Sequence, residues 1–425
     1  MKRLIYRILI CLVGVPSLIL SASRVSLGYS VLTHEAIVDS NWDTSIKQLL
    51  IHRYRALSPQ QLREARSYAY GGAIIQDMGY YPLGSKFFTD LVHYVRSGDF
   101  IENLLKEAQD PNEYAFALGA LAHYAADNQG HSIGVNRTVP VLYPKLRKRF
   151  GSVVTYANDP AAHLKAEFGF DVLQLARARY LPDHYHDAIG FRVSKRVLEQ
   201  AFKDTYGFEI KDIFTNFDLA IATYRRAVST VIPEMSKVAW ETKKDEIMKA
   251  SPGMTSERFV YKLNRTEYEQ EWGKDFEKPG VLDKALALML RALPKIGPLR
   301  PLAFKPLNAE AEKMFVASFD ATVQLYRQLL AQTRAERFNL ANKDFDTGHP
   351  TRAGEYEMAD RTYAKLVHKL ASDDFRNVSP DLRQNVLAFY APKGSTVATN
   401  LKTSDQREVM REIEQLKGHS YSSSR

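Results

Sequence analysis

Apolar residues recur at three- and four-residue spacings through most of this chain, and that period narrows the open folds more than any other feature. It runs through Pro59–Asp77, Asn112–Gly130, Pro160–Ala178 and Ser194–Phe202. Ser58-Pro59, Asp110-Pro111 and Asp159-Pro160 each set an oxygen-bearing cap before a proline. Proline fits the first helical position because its missing N–H has no partner there anyway. Clean alternation over strand length is rare. The expected fold class is all-α, and 45% hydrophobic residues with 25% charged residues are enough for a packed core.

The first 28 residues stand apart. Lys2, Arg3 and Arg7 precede an apolar run from Ile8 to Leu20, and Ser26 and Gly28 place small side chains before a cut at Tyr29. This is the pattern of a secretory signal peptide, with an uncleaved anchor as the alternative. A lipidation signal does not fit, because Ile10 precedes Cys11. The expectation is a secreted or periplasmic protein that begins at Tyr29. Cys11 is the sole cysteine, so the mature chain would offer a metal only imidazole and carboxylate. The segment also carries four basic residues and no acid; without them the net charge of +9 becomes +5. That charge permits attraction to anionic phosphate or peripheral contact with a membrane surface, and gives little reason to expect nucleic acid as partner. No later apolar run approaches the ~20 residues of a membrane span.

Composition shifts near residue 240. Trp240–Ser256 is rich in Lys and Glu, and residues 293–306 carry four prolines and read as an extended connection. Helical patterns follow at about 307–340, 354–371 and 402–417, with a loop at Asp344–Pro350. The expected organisation is a signal segment at 1–28, a catalytic bundle at 29–240 and a helical C-terminal extension at 241–425. Eight of the eleven histidines lie between residues 34 and 186, so imidazole chemistry belongs to the first part.

Within LGALAHYAADNQGHSIGV, His123, Asp127 and His131 are four residues apart. At 100° per residue they fall within an arc of about 80°, on one helix face. The outer two are separated by about 12 Å of axis, too far for one zinc with ~2 Å bonds unless the helix breaks at Gly130. The spacing favours several ions around a central carboxylate, or else a polar face with scattered histidines. His163 and Glu167 form a second helical pair. His93 sits among Leu91, Val92 and Val95 and reads as a core residue or a ligand; Asp77 ends an apolar stretch and reads as a turn residue or a ligand. His34 reads as a polar residue at a helix start capped by Thr33, or as a ligand.

Taken in order, these residues resemble the zinc-dependent phospholipase C family over residues 29–200, closest to the branch that contains the glycosylphosphatidylinositol-specific phospholipase D. The resemblance rests on the order Tyr29, His34, Asp77, His93, His123, Asp127, His131, His163, Glu167, on the H-x3-D-x3-H spacing followed by Ser132-Ile133-Gly134, and on HLKAEFGFDV. The best-known members begin with Trp, where this chain offers Tyr29. The resemblance implies a multi-helix bundle shared with the single-strand nucleases, and two to three zinc ions. Asp77, His93, His123 and Asp127 would hold one; Asp127 would bridge to a second on Tyr29 and His34; His131, His163 and Glu167 would hold a third. It implies hydrolysis of a phospholipid or another phosphodiester by zinc-activated water, with Asp77 as the catalytic carboxylate. A single-strand nuclease or nucleotidase, or a non-catalytic secreted helical protein, are the alternatives.

Other residues read more plainly. His184 and His186 form an H-x-H in a polar loop, and His52 lies between charged neighbours as a surface residue. Asp344 and Asp346 form a loop carboxylate pair for which calcium is conceivable, although the remaining ligands of a calcium loop are missing. Tyr68, Tyr70, Tyr80, Tyr81 and Tyr124 line a cleft or fill the core.

Overall fold

The computed structural model describes residues 31–177, 191–228, 307–335, 339–391 and 399–419, together with Lys305 and scattered positions from 237 to 256. The segment 1–28, Tyr29, His184 and His186 lie outside these residues. The described elements are helices, as the period predicts. They are α1 (Val31–Asn41), α2 (Lys47–Tyr54), α3 (Pro59–Ile74), α4 (Lys86–Tyr94), α5 (Ser97–Glu107), α6 (Pro111–Gln129), α7 (Asn136–Leu142), α8 (Pro144–Phe150), α9 (Pro160–Arg177), α10 (Lys195–Tyr206), α11 (Phe217–Arg226), α12 (Ala309–Arg334), α13 (Glu357–Ser372), α14 (Pro380–Phe389) and α15 (Thr403–Gly418). No strand occurs among the described residues, and a backbone bridge from Lys343 to Pro350 closes a loop.

The caps work as their chemistry requires. Ser58 accepts from Gln61 N while the Gln61 side chain accepts from Ser58 N, a reciprocal capping box. Asp110 accepts from Asn112 N and Glu113 N, and Asp159 from Ala162 N. Thr33 differs from expectation. It lies inside α1 and is not the cap; the exposed N–H groups of that helix end go to Asp171 of α9. The short helix α14, opened by Ser379-Pro380, also escaped the periodicity reading.

The central packing is the crossing of α3 and α6, and it depends on two glycines. A Cβ at Gly72 would stand 1.9 Å from the carbonyl oxygen of Phe116, and one at Gly119 would stand 1.9 Å from that of Ala69. Both obstacles are backbone, so a methyl group there forces the helices apart. Close approach brings the Ala73 carbonyl of α3 within 2.9 Å of His123 Nδ1 on α6. The crossing therefore sets the orientation of a candidate ligand as well as the density of the core.

Helices beyond residue 307 complete the same apolar core. α12 lies across α6 and α1; Tyr326 Oη donates to the Leu118 carbonyl, and Arg327 to Asn41 Oδ1 at 3.0 Å. α13 packs on α4 and α15, and Tyr363 stacks on Phe389 with centroids 3.7 Å apart. The segment Leu340–Thr351 runs as a strap between these later helices and the α4–α6 region. Gly72→Ala should destabilise the fold by about 1–3 kcal/mol through overpacking. Chemical denaturation would read this as a lower midpoint, with Gly418→Ala, where nothing lies within 4 Å of the new Cβ, as the neutral control. Equal midpoints for the two variants would show that α3 and α6 part freely.

Candidate metal centre

Eight of the nine candidate ligands come together; the ninth, Tyr29, lies outside the described residues. α1 supplies His34 one turn from its start, and that start is fixed by Asp171, which accepts from Leu32 N, Thr33 N and Thr33 Oγ1 at 3.2, 3.2 and 2.8 Å. Asp77 lies in the tight helical turn Ile75–Tyr80 that extends α3. Thr89 of α4 ties this turn down, donating to the Gln76 carbonyl and accepting from Gly79 N. Asp77 is thus a turn residue and also faces the histidines. His93 comes from α4, and His123 and Asp127 from α6. Past Gln129 the helix does not break at Gly130; it widens into a π-helical segment, Gly130–Val135, that carries His131. His163 and Glu167 come from α9.

The hydrogen bonds fix the tautomers. A carbonyl oxygen only accepts, so His93 Nδ1 donates to Thr89 O and His123 Nδ1 donates to Ala73 O, each at 2.9 Å. In the neutral rings the lone pair is then on Nε2, and the two Nε2 atoms stand 3.4 Å apart. Asp127 Oδ2 lies 3.3 Å from His93 Nε2 and 3.1 Å from His123 Nε2, and Asp77 Oδ1 lies 3.4 Å from His93 Nε2. With both rings neutral, four electron-rich atoms converge with no hydrogen to share. Asp77 Oδ1 and both oxygens of Asp127 are buried and accept no hydrogen bond.

Such an arrangement is repulsive unless a cation occupies its middle. A tetrahedron with bonds of ~2.0–2.1 Å has edges of about 3.3–3.4 Å, which is the spacing seen here. Asp127 Oδ1 faces the other way, 3.4 Å from His34 Nε2 and 3.9 Å from His131 Nε2. The His34 ring stacks on His123 at 4.3 Å.

The second group repeats the pattern. His163 Nε2 donates to Asn136 Oδ1 at 2.9 Å, leaving a lone pair on Nδ1, 2.7 Å from Glu167 Oε1. His131 Nδ1 lies 3.2 Å from both the Phe345 carbonyl and Asp346 Oδ1, so its Nε2 lone pair faces Glu167 Oε1 at 3.4 Å. Glu167 Oε2 is buried without a hydrogen-bond donor. Every donor here is imidazole or carboxylate, a set that suits zinc.

Electrostatics agree with this reading. Burial opposes a proton on His93, but Asp127 and Asp77 beside it more than offset that, pushing its pKa up to about 10. Burial and the neighbouring His123 push His34 down to about 3. Burial alone would raise Asp127, yet His123 and His131 hold it well below the usual carboxylate range. Without metal, protons on His93 and His131 balance the acids; a dication serves the same purpose with better geometry.

Sequence reasoning missed the supporting residues Asn136, Asp171 and Asp346. Asp344 and Asp346, read together as one loop cluster, have separate partners. Asp344 accepts from Thr347 N and Thr347 Oγ1 within its own turn, while Asp346 faces His131. His52 is exposed, as expected. Tyr80 and Tyr156 wall the centre, with centroids 6.2 Å from His93 and 5.7 Å from His163, and Phe345 covers His93 at 5.2 Å. None of the eight ligands is more than 4% exposed.

Residues 33–216 match the family model for zinc dependent phospholipase C. No curated protein and no solved structure matches the chain. The matched span contains all eight described candidate ligands together with Asn136 and Asp171, and it ends before α12 and the strap. Over residues 33–216, the chain is similar to the zinc-dependent phospholipase C family.

Proposed function

We propose that the protein is an exported, zinc-dependent phosphodiester hydrolase of the phospholipase C type. The observation that carries this reading is the buried convergence of imidazole lone pairs and donor-less carboxylate oxygens at tetrahedral spacing, inside the family match. Asp77, His93, His123 and Asp127 hold one zinc. Asp127 would also face a second, with His34 and Tyr29 as its further candidate ligands, and His131, His163 and Glu167 would hold a third. Bound zinc acidifies water and offsets charge on phosphoryl oxygens. Asp77, a buried carboxylate, would orient the attacking water and take its proton. The Tyr80, Tyr156 and Phe345 rings keep bulk water from the site, which strengthens every charge interaction within it.

Phospholipid is favoured over nucleic acid because the charge of the mature chain is modest. A basic surface also lies near the centre. Helix α8 has no buried residue and carries Lys145, Arg147, Lys148 and Arg149, and exposed Val153 follows it. Val154 N donates to the carbonyl of Asn136, the residue that holds His163. Basic side chains around an exposed apolar one suit an anionic lipid surface.

Elemental analysis of protein that begins at Tyr29 should find two to three zinc ions per chain. Asp127→Asn should lose more than one of them, and a residue added before Tyr29 should lose one, because an amide nitrogen has no lone pair to donate. One zinc or none in active wild type would sink the cluster.

The pH dependence follows from His93. Its raised pKa in the metal-free protein keeps a proton on the ring up to about pH 10. Zinc must displace that proton, so apparent affinity should rise with pH, by up to about tenfold per unit for one proton, and continue rising above pH 7.5. Chelator competition at pH 7, 8 and 9 reads this directly, and a flat response would show that metal-free His93 is unprotonated.

An activity screen of zinc-loaded protein should show hydrolysis of phosphatidylcholine or phosphatidylinositol faster than of single-stranded DNA. The reverse order would reassign the substrate to nucleic acid, and no hydrolysis of any phosphodiester would end the enzymatic reading.

A further inference from the structure

The strap Leu340–Thr351 lies outside the family match, yet it touches the centre at His93, His123 and His131. It is anchored firmly. Ser97 Oγ donates to the Lys343 carbonyl at 2.6 Å, Gly98 N and Asp99 N donate to Asn342 Oδ1 at 3.0 and 3.1 Å, and Tyr124 Oη donates to the Ala341 carbonyl at 2.9 Å. A Cβ at Gly98 would meet the Leu340 carbonyl at 2.4 Å, so the strap lies directly on the start of α5. Phe345 N donates to the carbonyl of His93 at 3.1 Å. Gly348, at φ +73°, lies where a Cβ would stand 2.7 Å from the Asn128 carbonyl, so the turn after Asp346 closes onto the end of α6.

Asp346 makes four polar contacts from this strap. Its Oδ1 lies 3.2 Å from His131 Nδ1. Its Oδ2 accepts from Tyr94 Oη at 3.1 Å and from Tyr356 Oη. Its main-chain carbonyl accepts from Asn136 Nδ2 at 2.6 Å. That last bond decides which way the Asn136 amide faces. With the NH2 spent on Asp346, Oδ1 is the atom presented to His163 Nε2 at 2.9 Å. One strap residue therefore controls both imidazoles of the second group: His131 through its carboxylate, and His163 through its carbonyl and Asn136.

We infer that Asp346 is a positioning residue of the metal centre, delivered by the C-terminal part of the chain, and that the zinc on His131, His163 and Glu167 is bound tightly only when the strap is in place. This rests on the zinc reading above. A carboxylate that accepts from a ligand histidine fixes the tautomer, limits ring rotation and raises the basicity of the coordinating nitrogen. The tyrosine hydroxyls keep the carboxylate itself from turning. His93 and His123 donate to the Thr89 and Ala73 carbonyls and not to the Asp346 side chain, so the effect should fall on one ion and leave the others.

The test uses full-length protein: wild type, Asp346→Asn, Asp346→Glu, Tyr356→Phe and Thr347→Ala. Each is equilibrated across a series of chelator-buffered free zinc concentrations. Zinc per chain is measured by elemental analysis, and folding by circular dichroism and thermal unfolding. In Asp346→Asn the weakest-held zinc should bind about 10–100-fold less tightly, with the remaining ions unchanged. Asp346→Glu, which keeps the carboxylate, should recover part of that loss. Tyr356→Phe should show a smaller loss, since Tyr94 still holds Asp346. Thr347→Ala, which disturbs only the Asp344 turn, should bind as wild type. A folded Asp346→Asn with wild-type zinc number and affinity would overturn the inference, and so would an equal weakening of every ion. If Asp346→Asn does not fold, unchanged binding in Tyr356→Phe overturns it instead. A wild type that binds no zinc would overturn the metal centre itself, which separates that failure from failure of the strap.

Discussion

Asp127 is wholly buried, and no donor satisfies either of its oxygens. Removing a carboxylate from water costs several kcal/mol even after relaxation, and the cost is met only by a partner of opposite charge. The nearest candidates are His34, His93, His123 and His131, drawn from three helices and the π-helical segment after α6. All four bring Nε2 toward it. Their Nδ1 atoms are committed elsewhere for His93, His123 and His131, to carbonyls of α4, α3 and the strap. The fold thus builds a negative pocket lined with lone pairs at the point where its helices converge. A dication would resolve the conflict, and the surrounding packing holds that arrangement.

Seen this way, the tight α3–α6 crossing belongs to the chemistry. Gly72 and Gly119 let the two backbones touch, and the Ala73 carbonyl reaches His123 only because they do. The same logic applies at α1, where Asp171 anchors the first N–H groups and so fixes His34 one turn later. Core density and ligand orientation are two results of the same contacts. A substitution that loosens either crossing should move metal affinity before it unfolds the protein.

The sequence made the first layer of this centre legible and hid the second. Helix period, proline starts and the four-residue spacings locate α3, α6 and α9 and the candidate ligands on them, because those signals are local. Asp346 was visible only as one of two loop acids. Its partner His131 is more than two hundred residues away in sequence, and nothing near Asp346 records that pairing. Asp171 and Asn136 were silent for the same reason: a buried hydrogen bond across the fold leaves no period. Thr33 misled in the opposite direction, because a local capping rule gave way to a side chain from α9. In the sequence, a break at Gly130 is only the condition under which His123 and His131 could share one ion; the chain instead widens there into a π-helical segment, which moves His131 without ending the helix.

The extent of the family match and the extent of the centre are therefore different quantities. The match ends at residue 216. The hydrogen bonds that orient His131 come from Phe345 and Asp346, and the ring that covers His93 is that of Phe345. Enclosure and ligand orientation are supplied together by one strap. A strap seated firmly enough to fix His131 also covers His93. The anchoring bonds at Ser97, Gly98 and Asp99 lie at the end of the strap away from Asp346 in sequence. They fix its course at that end, while Phe345 N on the His93 carbonyl and the Tyr94 and Tyr356 hydroxyls on Asp346 hold the turn that covers the centre.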